Sequence, residues 1–145
     1  LHLSIRRQRQ MCIRDRFKLI ITMNFFSDLG KFILRISFSV LMLTHGISKV
    51  EKLFADEIKF SDPIGLGSFW SLILITFAEF VAPVFILIGF KTRWFSIFPV
   101  IGMAVAAFVS HWDDPFPRKE KALLFMFGFL VIAMIGPGKY SIDKK

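Results

Sequence analysis

Four apolar runs, at residues 29–48, 68–90, 94–111 and 121–136, leave this chain few ways to fold. A bilayer core about 30 Å thick takes roughly 20 apolar residues of helix, and the first three runs fit that need. The fourth is short unless its helix begins near Arg118, so that Arg118, Lys119 and Lys121 can extend their charged ends toward water. A soluble four-helix bundle would need a polar stripe on each helix, and residues 80–90 and 94–109 offer hardly any. The expectation is therefore an all-α, integral membrane four-helix bundle with the lipid bilayer as its surroundings. Composition agrees. Of the 145 residues, 54% are hydrophobic, with 19 Phe, above the roughly 45–50% of soluble domains. Disorder, a collagen repeat, a disulfide scaffold and a nucleic-acid-binding domain are all excluded, the last in spite of a net charge of +8.

That charge sits mainly in one place. Residues 1–22 hold six Lys/Arg and one acid, and without them thirteen basic residues face ten acidic ones, a net of +3. The stretch 4–16, SIRRQRQMCIRDR, is polar, basic and free of helical or strand periodicity. A basic tail on anionic headgroups is one reading of it. A targeting peptide is another, but no apolar core leads to a small-residue cleavage site. The reading adopted is that residues 1–22 are a non-native or disordered extension, QMCIRDR resembling adapter DNA read as protein. The chain then starts at Met23, and the domain proper is 23–145. The single cysteine, Cys12, falls in the extension, so thiol catalysis, CxxC exchange and Fe–S ligation are not offered by 23–145.

The breaks between runs make chemical sense. Ser61-Asp62-Pro63 and Gly65-Leu66-Gly67 precede the second run, and Lys91-Thr92-Arg93 is a tight basic turn. Asp113-Asp114-Pro115 with Pro117 separates the third from the fourth, and Gly136-Pro137-Gly138 ends the last helix. Four spans put both termini on one side. Lys and Arg from Lys18 onward, without Arg35, divide seven to six in favour of the terminal side, which points to cytoplasmic termini, with a bacterial inner membrane as the setting. Trp70, Trp94 and Trp112 lie at run ends, as an interfacial aromatic belt requires.

Two ionisable groups fall at bilayer depth, where a charge costs about 2.5–3.5 kcal/mol on insertion scales. Arg35 is early in the first run and Glu79 is near the middle of the second. At 1.5 Å rise per residue their depths differ by ~6 Å, within reach of an Arg side chain, so an Arg35–Glu79 ion pair is expected. Such a pair would serve either as a proton or ligand site or as a registry device only. Arg35, Ser39, Met42, Gly46 and Lys49 share one helical stripe that should face the bundle interior. Gly102, Ala106 and Ser110 form a small-residue row suited to close helix packing.

His45 and His111 each lie ~25 Å along their spans from the same end, so they should share a level. Together with Lys49 and the adjacent Asp113 they would form a polar mouth above the Arg35–Glu79 pair, fit for a quinone headgroup, a small acid or water. Two histidines could also hold a haem, but interfacial hydrogen bonding is the commoner use and haem is disfavoured. No metal site, GxGxxG, Walker loop, HExxH or Ser/His/Asp arrangement is present to argue from.

Arg35 followed by Thr44-His45-Gly46-Ile47-Ser48-Lys49 resembles the first-helix R…HGxxK signature of the DoxX family of small four-span membrane proteins. The resemblance continues through residues 62–67, Ala78-Glu79, residues 89–93, His111 and residues 136–143, and covers about 26–143. It implies a family with some members in thiosulfate:quinone oxidoreductase or in membrane redox and stress-resistance assemblies, and most with no assigned reaction. It also implies Arg35, His45, Lys49, Glu79, Arg93 and His111 as the polar interior positions, the candidate binding site. The function expected is a quinone-associated subunit working with a partner redox subunit, with no reaction of its own assigned. The alternatives are a small transporter or permeability factor, weakened by the lack of an inverted repeat, and a non-enzymatic membrane partner.

Overall fold

A computed structural model describes residues 2–55, 60–63 and 65–143, with side chains from Thr22 onward. All the regular structure among the described residues is helical. Helix α1 spans His2–Leu53, α2 Ser68–Ile88, α3 Thr92–Ser110 and α4 Phe116–Ile135. The chain divides into two compact units at Gly30, and the second, Lys31–Lys145, holds the bundle. In the first unit the rings of Phe25 and Phe26 meet edge to face at 5.8 Å. Residues 2–21 are helical although their pattern shows no period. Arg, Gln, Met and Leu are good helix formers, and no Pro or Gly interrupts them.

Each helix end has a local cause. Gly89 ends α2 in the left-handed conformation, with φ 76°, and Phe90 N–H returns to Phe85 O at 3.0 Å. Pro115 precedes α4 in an extended conformation, and Pro117 sits in its first turn, where a missing N–H costs nothing. This start lies ahead of residue 121, so Arg118, Lys119, Glu120 and Lys121 all belong to the helix. Of the four helices, α2 with 21 residues and α3 with 19 are long and apolar enough to cross a membrane. Lys31, Arg35 and Lys49 interrupt the corresponding part of α1, and four charges open α4.

The core of the bundle draws on every helix. Met42 of α1, Ile86 of α2, Met103 and Ala107 of α3, and Ala122, Phe125, Phe129 and Ile132 of α4 form one buried cluster. Phe38 from α1 meets Phe125 and Phe129 edge to face, each at 6.0 Å. The small-residue row acts as expected at Gly102, where an added Cβ would lie 3.1 Å from Ala78 Cβ, so α2 and α3 touch there. Outward, Val84, Ile101, Phe108, Leu124, Phe127, Val131 and Met134 are exposed on α2, α3 and α4. Continuous apolar surface of this kind suits hydrocarbon rather than water. Trp70, Trp94 and Trp112 are 60–71% exposed at helix ends, the positions of an aromatic belt.

The loop before α2 is organised by one carboxylate. Asp62 accepts the N–H groups of Gly65, Leu66 and Gly67 and the hydroxyl of Ser71. These bonds, that from Ser71 foremost, lower its pKa below the usual carboxylate value. A depressed carboxyl pKa gives local stability that is complete above the unfolded value near 3.8 and fades as pH falls through the lower folded value. Protection of the amides at residues 65–67, taken relative to their intrinsic exchange rates, should therefore be constant from pH 7 to about 5 and be lost only in stronger acid. Asp62→Ala should remove that protection at every pH. Equal protection in the variant would show that the turn holds without the carboxylate.

Candidate functional site

The interior stripe of α1 lies where its spacing places it. Arg35, Ser39 and Met42 are at most 2% exposed, Gly46 is buried and Lys49 is half-buried. The expected partner of Arg35 is a different matter. Arg35 Nη1 donates to Pro137 O at 2.6 Å and Nη2 donates to Tyr140 O, while the guanidinium lies 5.7 Å from the Phe32 ring centre. No ion pair joins Arg35 to Glu79, so the predicted pair is not formed. Rise along parallel axes gave a comparable depth, but the segment after α4 folds back and supplies two carbonyls first. Asp143 of the same segment accepts the N–H of Thr92 at 2.9 Å and donates its own N–H to Gly89 O at 3.0 Å. It thereby caps the start of α3. Arg93 packs against Gly136, so it too belongs to this end of the bundle.

Glu79 faces another space. It is 5% exposed, and its Oε2 has no hydrogen-bond partner. It lines a cavity of about 220 Å³ to which all four helices contribute. From α1 come Met42, His45, Ser48 and Lys49, and from α3 Met103 and Ala106, with His111 just beyond its end. From α4 come Arg118, Lys121, Ala122 and Phe125. Four of the six residues marked from sequence, His45, Lys49, Glu79 and His111, thus share one cavity, while Arg35 and Arg93 meet the C-terminal segment instead.

Local backbone geometry aims Glu79 inward. Residues Phe77–Val81 form a π turn inside α2. Pro83 has no N–H for the carbonyl of Glu79, four residues earlier, and the ladder is re-paired with Ala82 N–H bonding to Phe77 O. That carbonyl faces α1 where Gly46 passes, and a Cβ on Gly46 would lie 2.5 Å from it. A second π turn, Ala106–Ser110, precedes His111, whose N–H reaches Ala106 O at 3.1 Å. π turns of this kind recur at functional sites.

The mouth has its own polar order. His111 Nδ1 and Asp114 Oδ2 are 2.6 Å apart, and Arg118 donates to Asp114 Oδ1 at 3.0 Å. Asp114, rather than the expected Asp113, is the acid that organises the mouth. The His111 bond, ahead of Arg118, lowers its pKa below the ordinary range. The His45 ring stands edge-on to Phe125 at 5.7 Å. Lys49 Nζ lies 5.0 Å from the ring centre of Phe60 and lines the same cavity as Glu79. Sequence reasoning gave Arg118 and Lys121 only an interfacial role. Their place one turn apart at the start of α4, at the level of His111, was the signal that they share the mouth.

The DoxX family model matches residues 30–112, which includes α2, α3 and the interior stripe of α1. The chain belongs to the DoxX family. It is 32% identical to the inner membrane protein YqjF of Escherichia coli over 123 residues, 81% of this chain and 92% of that protein. It is also 33% identical to the Surfeit locus protein 4 homolog of Schizosaccharomyces pombe over 92 residues, 56% of this chain and 30% of that longer protein. No solved structure matches. As a DoxX-family member the chain is an integral membrane protein, which accounts for the apolar exterior of its helices.

Proposed function

We propose that this DoxX-family chain is a quinone-associated subunit of a membrane oxidoreductase assembly, and that the four-helix cavity receives the quinone headgroup. The observation that carries the reading is Glu79 Oε2, buried, unpartnered and facing the cavity. A buried carboxyl oxygen left without a partner costs about 1–3 kcal/mol, so it is expected to meet a ligand group. The cavity suits the group in size and lining. At about 220 Å³ it is smaller than a drug-sized pocket and has room for a single ring. Met42, Met103 and Phe125 give apolar walls that exclude water, and His45 and Lys49 can donate hydrogen bonds to carbonyl oxygens.

A bound quinone supplies two-electron, two-proton chemistry. The chain's own part is to orient the ring and to hold or release a proton at Glu79 Oε2, with Lys49 as a cation lining the same cavity. Electrons would come from a partner redox subunit, since the only thiol of this chain is Cys12. The setting proposed is a bacterial inner membrane with cytoplasmic termini, in keeping with the printed name of YqjF and the distribution of basic residues.

The test is a titration of the detergent-purified chain with ubiquinone-1, read by tryptophan quenching. Saturable binding is expected, with Glu79→Gln weaker by roughly tenfold, the equivalent of one lost hydrogen bond to a charged group. A flat titration of a folded protein would overturn the proposal. Solute flux in liposomes that depends on Glu79, with no quinone binding, would favour a transporter.

A further inference from the structure

The rim of the cavity differs from its interior. Inside lie Met42, Met103 and Phe125, with Glu79 as the one charged group. At the opening stand three permanent cations, half-buried Lys49 from α1 and exposed Arg118 and Lys121 from α4. Asp114 takes up Arg118 and His111. Lys49 and Lys121 have no carboxylate within ion-pair distance among the described residues, yet both line the same cavity, one from α1 and the other from α4. Cations of like sign around one cavity repel each other, and an anion bound among them turns that repulsion into attraction. The opening also lies at interfacial depth. Lys119 donates to Trp112 O and lies 5.8 Å from the Trp112 ring centre, and Trp112 and Phe116 are exposed beside it. Headgroup phosphates are found at that level.

We propose that Lys49, Lys121 and Arg118 form a phosphate-binding rim over the cavity, whose ligand is a phosphate monoanion. The source is either the phosphodiester of an anionic lipid or a soluble phosphate. Lysine ammonium groups hold such a point-like anion well, and the rim leaves the interior cavity free. The inference shares Lys49 with the quinone reading but does not rest on it, because Lys121 and Arg118 take no part in meeting a ring at Glu79.

The experiment uses the full chain in nanodiscs of phosphatidylcholine with or without phosphatidylglycerol, and measures lipid retained after detergent extraction by native mass spectrometry. A parallel arm titrates inorganic phosphate into the detergent-purified chain. Preferential retention of phosphatidylglycerol is expected, with Lys49→Gln/Lys121→Gln weaker by on the order of 30-fold, the effect of two interfacial charges. Lys49→Arg/Lys121→Arg should keep it, and Lys139→Gln, on the segment after α4, should change nothing. Saturable phosphate binding that the double Gln variant abolishes, without lipid preference, supports the same rim with a soluble source. Equal retention by wild type and the double Gln variant, with no phosphate binding, would overturn the proposal. Since Glu79→Gln leaves the rim intact, loss of quinone binding alone tells the two ideas apart.

Discussion

Arg35→Ala is expected to destabilise the detergent-solubilised protein by about 3 kcal/mol or more, the larger of two effects anticipated for single substitutions. Arg35 is 2% exposed and is the donor for both Pro137 O and Tyr140 O. Alanine would leave both carbonyls unmet, and each buried group without a partner costs about 1–3 kcal/mol. The edge-to-face contact between Phe32 and Tyr140, at 5.5 Å, would loosen with them. Two measurements check this. The thermal midpoint should fall by several degrees, and trypsin should cut after Lys139 much faster. Arg35→Lys should recover only part of the loss, because a single ammonium lacks the forked geometry that reaches two acceptors at once. An alanine variant with unchanged melting and unchanged cleavage would show that the C-terminal segment is held by other contacts.

The second large effect belongs to Gly46, where α1 passes α2. A Cβ there would meet Glu79 O at 2.5 Å, Glu79 C at 2.8 Å and Phe80 Cβ at 2.9 Å. Two of these are main-chain atoms, which cannot move without shifting the π turn that carries Glu79. Gly46→Leu should therefore cost about 3 kcal/mol, at the upper end of overpacking effects. It should also abolish ubiquinone-1 binding although it removes no ligand group. Gly46→Ala should show a milder form of both defects. Gly30→Ala is the useful contrast, since nothing lies within 4 Å of its added methyl, and it should gain about 0.5–1 kcal/mol from helix propensity. Normal binding by a folded Gly46→Leu protein would show that the cavity does not depend on this approach of the two helices.

Period-3.6 spacing was enough to find the inward face of α1, because Arg35, Ser39 and Met42 are costly on a lipid-facing surface and cheap inside. Equal distance along two parallel spans was likewise enough to bring His45 and His111 to one cavity. The partner of Arg35 was not legible. Its acceptors are main-chain carbonyls at residues 137 and 140, and any residue type supplies a carbonyl. Glu79 was correctly marked as anomalous, but its direction depends on the π turn. The clue to that turn, Pro83 four residues later, reads equally well as a simple kink. Asp113 and Asp114 are adjacent carboxylates, and only the turn after α3 decides which one reaches His111.

The anchoring of residues 137–143 bears on the order of events during synthesis. The donors waiting at Arg35 and Thr92 belong to α1 and to the start of α3, while their acceptors, at residues 137, 140 and 143, are translated after all four helices. A nascent chain can thus place its rods in the bilayer while one end of the bundle is still unlatched. Closure of that end must await the emergence of residues 137–143 from the ribosome.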